Sequence, residues 1–459
     1  MSQNCIWPKS KIFVLLLLLP LISIAQKPTQ PNIVLVMADD LGYGDLESYG
    51  HPLNQTENLS QMADEGIRFT SFYSSASTCT PARASLLTGR YPLRVGLPRV
   101  IYPESEKGLP DSEVTIAEVL KEVGYTTKCV GKWHLGQTKK EFFPTSQGFD
   151  EYYGLITSND MMAPWVQTEV PLQLYRDENA LDKKWEQSDL TKDYTMEAVD
   201  FINKSSKKNA PFFLYLPYNM PHVPIEASAD FRGKSKSGRY GDVLKEIDWS
   251  MGQIASALKK NGVEENTIVL FLSDNGPWNF MSSRMFSEDI VKPWDAGTTG
   301  LLRGGKINSY EGGFRVPFIV KWPAKIKPGT VSSEMVTIMD VLPTLAKAAG
   351  AKPPTDRVID GTDISPLFTG NQEFDGQRDF YYFEKERLEA VRSGPWKLRI
   401  APFQGPDRPM NYYLKPELYN LNVDPSERIN QAKDHPEIVA ELKEKMRNFS
   451  IDGALYWFY

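Results

Sequence analysis

Ile33-Val34-Leu35-Val36-Met37 is an unbroken apolar run that gives way, after Ala38, to the acidic pair Asp39-Asp40. It is too short for a helix and rich in branched side chains, so it predicts a β-strand covered on both faces. The same arrangement recurs outward from it. Residues 125–130 predict a strand running into Lys132-Trp133-His134, and residues 212–216 one followed by Asn219-Met220-Pro221-His222. Residues 267–272 predict a further strand, ending in Ser273-Asp274-Asn275-Gly276. Helical segments separate these strands. Asn58 is expected to cap a helix through Gln61 to Gly66, and Thr115 with Glu118 forms a capping box for one that stops at Gly124. Val243, Ile247, Met251, Ile254 and Leu258 share one face of a helix from about 240 to 260. Strands alternating with helices predict an α/β fold, a large and mostly parallel sheet sandwiched by helices. Ligands bind such sheets at the carboxyl ends of the strands, so Asp39, Asp40, Lys132, His134, His222, Asp274 and Asn275 are expected to converge.

Each of these groups also has an ordinary reading. Asp-Asp near a glycine and Asp-Asn-Gly are turn sequences, and a lone histidine is usually packed or solvated. Taken together, three carboxylates and an amide are hard oxygen donors that suit Ca²⁺ or Mg²⁺ rather than zinc. Lys306, in Arg303-Gly304-Gly305-Lys306, is a cation on a glycine-rich approach where backbone can come close to a ligand. His51 and His435 keep the ordinary reading.

Ser77-Thr78-Cys79-Thr80-Pro81-Ala82-Arg83 leads into Ala84-Ser85-Leu86-Leu87-Thr88-Gly89-Arg90. Thr80 suits an N-cap, Pro81 the first helical position and Gly89 a stop, which predicts a loop entering a short helix with Cys79 at its mouth. The unpaired N–H groups there favour an anion, and Arg83, one turn along, can turn back to the same spot. A small buried cysteine beside an arginine is the alternative.

Cys79-Thr80-Pro81-Ala82-Arg83 matches the Cys-x-Pro-x-Arg signature of the type I sulfatases, and its surroundings resemble the arylsulfatase A and N-acetylgalactosamine-6-sulfatase branch of that family. The resemblance runs from about Asn32 to about Asn430. It implies an alkaline phosphatase-like catalytic domain that hydrolyses sulfate monoesters, with the cysteine oxidised by a dedicated maturation enzyme to formylglycine (3-oxoalanine). Carried over residue by residue, modified Cys79 is implied as the nucleophile and Arg83 as its stabiliser. Asp39, Asp40, Asp274 and Asn275, with residue 79, are implied as ligands of one Ca²⁺ per chain. Lys132 and Lys306 are implied to neutralise sulfate oxygens, His134 to assist elimination of sulfate, and His222 to serve the leaving oxygen. Ser158 is implied as a further sulfate contact, although Asn159 departs from the branch pattern. Thr56-Glu57-Asn58-Leu59 also departs from the usual Thr-Pro-Asn-Leu, which concerns helix entry alone. Tyr310-Glu311-Gly312-Gly313-Phe314-Arg315-Val316-Pro317 resembles the second signature stretch, with Glu311 and Arg315 as support.

Lys9 and Lys11 precede an apolar run from Ile12 to Ile24, and Ser23-Ile24-Ala25 offers small residues for cleavage. This predicts a signal peptide over 1–25 and export, to a bacterial periplasm or beyond, with no membrane span afterwards. A retained anchor is the alternative. Cys5 falls in the removed segment, and Cys129, in a strand, is read as packed rather than bridged to Cys79. A net charge of −6 gives no hint of nucleic-acid binding. An acidic protein that handles a polyanion must concentrate its cations locally.

Residues 26–350 are expected to form the catalytic domain and 351–459 a C-terminal subdomain, with Pro353-Pro354 marking the break. Strand candidates at 380–383, 396–400 and 417–421 predict a small antiparallel sheet, joined by a helix over 436–447 and an aromatic tail over 456–459 that packs at an edge. The irregular stretches 159–189 and 278–295 carry Trp165, Trp185, Trp278, Phe280 and Trp294. Such aromatics suit stacking on sugar rings, which favours a sulfated carbohydrate as substrate, and hydrophobic packing explains them nearly as well. Two other functions stay open: a phosphate or phosphonate ester hydrolase on the same fold, and a non-catalytic binder of sulfated glycans in which Cys79 keeps its thiol. The oligomeric state is not legible.

Overall fold

In the computed structural model, which describes residues 1–2, 30–208, 210–370, 374, 376–401, 415–451 and 454–455, β1 (Asn32–Ala38) lies inside a ten-stranded sheet. The expected signal peptide, but for its first two residues, and the tail 456–459 lie outside the described residues. The next strands are β2 (Ile67–Phe69), β3 (Phe72–Tyr73), β4 (Thr126–Val130), β5 (Glu151–Leu155), β6 (Leu174–Arg176) and β7 (Asn179–Ala180). They are followed by β8 (Phe212–Pro217), β9 (Thr267–Ser273), β10 (Phe318–Lys321), β11 (Thr330–Ser332) and β12 (Val336–Thr337). The sheet order is β11-β2-β10-β9-β1-β8-β4-β5-β6-β7, while β3 and β12 pair separately. The four expected strands are adjacent and parallel in the order β9-β1-β8-β4, and β5 extends that run. Antiparallel pairing is confined to β10 and to β6 and β7.

Alternate residues of β1 enter two different cores. Ile33, Leu35 and Met37 pack with Phe213 and Leu270, and Val34, Val36 and Ala38 pack with Leu214 and Phe271. Both faces therefore need cover, as parallel sheets do. Helices α1 (Glu57–Asp64), α4 (Leu190–Ser205) and α5 (Gly238–Lys260) supply the second core; α2 (Cys79–Thr88) and α3 (Ile116–Lys121) supply the first.

Two helix starts differ from expectation. Asn58 does not cap α1 but sits within it, because Asp248 of α5 accepts from the backbone N–H of Asn58 at 3.1 Å and of Leu59 at 2.9 Å. A neighbouring helix satisfies the first-turn donors, so no local cap is needed. Likewise α2 begins at Cys79, ahead of the expected cap Thr80, whose hydroxyl instead donates to the His134 carbonyl at 3.1 Å. Gly89 does close α2, at φ 70°. The capping box of α3 is present, with both reciprocal bonds made.

After α6 (Glu311–Phe314), α7 (Val341–Ala349) and α8 (Ser365–Phe368) comes an antiparallel sheet of four strands. These are β13 (Asp379–Glu384), β14 (Arg387–Ser393), β15 (Trp396–Arg399) and β16 (Glu417–Asn420), followed by α9 (Pro436–Asn448). β14 is the strand absent from the sequence expectation. Phe380, Tyr382 and Leu398 join the same core as Ile33. Buried Glu311 ties β3 to this four-stranded sheet, accepting from Tyr73 at 2.5 Å, Tyr382 at 2.9 Å and Lys397 at 2.9 Å.

Candidate active site

The strand ends deliver their polar residues to one hollow. β1 ends in Asp39 and Asp40, β9 in Asp274 and Asn275, β4 runs on to Lys132 and His134, β8 to His222, and β5 to Ser158. All of these side chains are buried. Cys79, first residue of α2, faces them with its Sγ 3.4 Å from Asp39 Oδ1 and 3.4 Å from Lys306 Nζ. The geometry thus brings together every site residue expected from sequence.

Arg83 fastens the floor of this hollow. Its Nε and Nη2 donate to Asp274 Oδ2 at 3.0 and 2.8 Å, and its Nη1 donates to the Lys132 carbonyl at 2.9 Å. One guanidinium so joins α2 to the ends of β9 and β4, a use of Arg's rigid fork that Lys could not match. Lys132 Nζ donates to Asp39 Oδ2 and, at 3.1 Å, to Ser158 Oγ. Lys306 Nζ bridges both Asp40 oxygens at 2.8 Å. Gly305 makes this approach possible, since a Cβ there would fall 2.1 Å from Asn279 Oδ1 and 2.7 Å from the Pro277 carbonyl. Three cations therefore face three carboxylates. Burial alone would raise the Asp39 carboxyl, but Lys132, His222, Arg83 and Lys306 hold it well below the usual range.

Both histidines have their tautomers set by carbonyl oxygens, which can only accept. His134 Nε2 donates to the Ile101 carbonyl at 3.1 Å, leaving a buried Nδ1 with no partner. His222 Nδ1 donates to the Val223 carbonyl at 2.5 Å, leaving Nε2 3.7 Å from Asp40 Oδ2. Burial, then Lys132 and Arg83, push the His134 pKa well down; burial, then Lys306, lower that of His222. Both shifts favour the neutral ring, while Asp40, Asp39 and Asp160 work against the shift at His222.

The residues present fit a hard divalent cation. Ligand atoms of Asp39, Cys79 and Asp274 lie within 4.8 Å of one another, as do those of Asp40, Cys79 and His222. Asn275 donates its amide N–H to Asp40 Oδ1 at 2.7 Å, and its buried Oδ1 has no hydrogen-bond partner. An orphaned amide oxygen beside three carboxylates is what an oxygen-loving ion would satisfy.

Strain gathers here. Asp40, His134 and Ile307 are among the few non-glycine residues with positive φ, at 63°, 59° and 71°. For a β-branched residue such as Ile307 this backbone is an outlier, and such strain tends to sit at functional sites.

Above the hollow opens a cavity of about 370 Å³, with Cys79, His134, Ser158, His222 and Lys306 at its base. Trp278, Phe280, Asp160, Arg284, Tyr102 and Lys385 also line it. Of these, Trp278 and Phe280 were named as aromatics; Asp160, Arg284, Tyr102 and Lys385 were missed. Arg284 comes from a 3-10 helix over Ser283–Asp289, within a stretch expected to be irregular, and Lys385 from the hairpin turn between β13 and β14; no local motif marks them. Trp165 and Trp185 line a separate surface depression, and Trp294 is exposed outside the cavity lining.

Comparison with known proteins gives this geometry a family. The Sulfatase family model matches residues 31–351, and that of the N-sulphoglucosamine sulphohydrolase C-terminal region matches 305–452. N-acetylgalactosamine-6-sulfatase of Mus musculus is 41% identical over 394 residues, covering 82% of this chain and 73% of the relative. Arylsulfatase A of Homo sapiens is 37% identical over 463 residues, covering 93% of this chain and 89% of the relative. The crystal structure of Ps i-CgsB in complex with k-i-k-neocarrahexaose superposes with a TM-score of 0.79 at 29% identity, covering 94% of this chain and 95% of that one. Matched over most of its length by sequence and by fold, the chain belongs to the sulfatase family and is a sulfuric ester hydrolase.

Proposed function

We propose that this chain is an exported, formylglycine- and Ca²⁺-dependent sulfatase that removes sulfate from carbohydrate. The observation that carries the reading is Cys79, at the head of α2, sharing one buried hollow with two ammonium groups, two imidazoles and an oxygen-rich donor set. The names of the N-acetylgalactosamine-6-sulfatase relative and of the neocarrahexaose complex support a sugar substrate. The basic and apolar stretch over residues 9–24 supports export, and no helix among the described residues is long and apolar enough to cross a membrane. Residues 26–350 then carry the chemistry, and 351–459 form the supporting subdomain.

Formylglycine at position 79 supplies a hydrated aldehyde, a nucleophile that is regenerated without water having to attack sulfur. Asp39, Asp40, Asp274 and Asn275 would hold the Ca²⁺, which would supply positive charge to the site. Lys132 and Lys306, with Ser158, orient the sulfate and neutralise its oxygens in a water-poor pocket where such contacts are strong. The anionic substrate favours protonation of His222 at Nε2, the only ring nitrogen not committed to a carbonyl, and that proton passes to the leaving oxygen. His134 offers its partnerless Nδ1, which accepts a proton as sulfate is expelled. Arg83 keeps α2 and two strand ends in register.

The test uses protein made in a host with the maturation machinery. Sulfate release from a sulfated monosaccharide is expected for wild type and not for Cys79→Ala, with the peptide around residue 79 carrying the mass of the aldehyde. Activity in Cys79→Ala, or faster turnover of phosphate than of sulfate esters, overturns the proposal.

A further inference from the structure

Asp160 and Arg284 form an ion pair in the cavity wall, with Nη2 3.2 Å from Oδ2. The Asp160 side chain is only 2% exposed, and its second oxygen, Oδ1, has no hydrogen-bond partner. Arg284 is fixed twice more, donating Nη1 to the Trp165 carbonyl at 2.9 Å and lying 5.5 Å from the centre of the Trp278 ring. Burial works to raise the Asp160 carboxyl, but His222, Arg284, Lys132 and Lys306 bring it below the usual range, so it is an acceptor at working pH.

An orphaned buried acceptor is destabilising until a donor arrives, and this one belongs to a side chain that lines the cavity. The pair is neutral overall and so offers no attraction to a second anionic group. It does set an acceptor beside a donor, the pattern that two adjacent hydroxyl groups match. Trp278 and Phe280 line the same cavity, and Phe280, which is exposed, gives aromatic surface for the apolar face of a sugar ring.

We propose that Asp160 and Arg284 are specificity residues that bind adjacent free hydroxyls of a sulfated pyranose, Asp160 accepting from one and Arg284 donating to its neighbour. This rests on the reading of the chain as a carbohydrate sulfatase. A ring that lacks the hydroxyl, or carries sulfate there, leaves the buried acceptor unpaired, which sites of this kind reject strongly.

The test compares a pyranose monosulfate bearing vicinal hydroxyls, its deoxy analogue and an aryl sulfate. For wild type, the deoxy sugar is expected to lose about 10- to 100-fold in kcat/KM, the cost of one unpaired buried acceptor. For Asp160→Asn, the ratio of sugar to aryl turnover is expected to fall by a similar factor. In a Cys79→Ala background, calorimetry is expected to show Asp160→Asn weakening binding of the sugar sulfate at least about tenfold. An unchanged ratio and unchanged affinity overturn the proposal, and so does wild-type indifference to the deoxy sugar, which requires no variant to fold. Wild type that binds the sugar sulfate through Asp160 but releases no sulfate overturns the sulfatase reading instead.

Discussion

Arg83 and Asp274 form a two-pronged ion pair with neither side chain exposed, both Nε and Nη2 reaching the same carboxylate oxygen. Breaking a buried pair by removing one partner strands the other charge and costs about 3–5 kcal/mol. Arg83→Gln is therefore expected to lower the thermal midpoint by several degrees as well as abolish turnover. Arg83→Lys keeps a charge but loses the fork and should recover only part of the stability. A thermal melt of both variants checks this; a midpoint for Arg83→Gln equal to wild type would show that the pair is not structural.

Lys132 owes its position to Gly131. That glycine has φ 128°, and a Cβ on it would stand 1.9 Å from the Pro217 carbonyl oxygen, where β4 and β8 close together. Lys132 N then bonds that same carbonyl at 2.7 Å. Gly131→Ala must push apart two backbones, so a loss of about 3 kcal/mol or more is expected, together with lost activity. Soluble yield and chemical denaturation report it, and a variant as stable as wild type would contradict the close approach.

Short runs of branched apolar residues made the parallel strands legible, and with them the convergence of Asp39, Lys132, His222 and Asp274. Legibility failed where a residue's partner lies far along the chain. Thr80 and Asn58 carry good cap chemistry, yet His134 and Asp248 draw their hydrogen bonds elsewhere. Strand β14 is not among the strands expected from sequence, and it carries Arg387, Glu389 and Arg392 among its apolar residues. In the fold Glu389 accepts from Ser309 at 2.6 Å and Arg392 donates to the Tyr73 hydroxyl, contacts that no local pattern announces. The Asp160–Arg284 pair spans 124 positions and escaped for the same reason.

Glu384 offers a pH test where the end of β13 meets the loop that enters α2. It is buried, accepts from Ser77 Oγ at 3.1 Å, and burial followed by the nearby Glu389 pushes its carboxyl up to about 7. A carboxyl whose folded pKa exceeds its unfolded value holds an extra proton in the fold between the two, so stability falls as pH rises through that window. Glu384→Gln should therefore stabilise the protein relative to wild type at about pH 8, on the order of 2 kcal/mol, and much less at about pH 5. Melts at the two pH values decide it; a difference independent of pH, or one growing toward acid, would contradict the assigned shift.

Asn275 provides the test of the ion that does not depend on turnover. Its orphaned Oδ1 and the carboxylates of Asp39, Asp40 and Asp274 exist in the fold and not in the unfolded chain, so a cation bound there must stabilise the fold by mass action. Calcium at about a hundred times its dissociation constant would contribute about 2.7 kcal/mol, and chelation should remove it. The thermal midpoint of wild type is therefore expected to climb with calcium concentration. Asn275→Ala, which deletes a donor without stranding a charge, should need more calcium for the same rise, and Mg²⁺ should act more weakly because the site is irregular. A midpoint indifferent to both ions would show that the three carboxylates are balanced by Arg83, Lys132 and Lys306 alone.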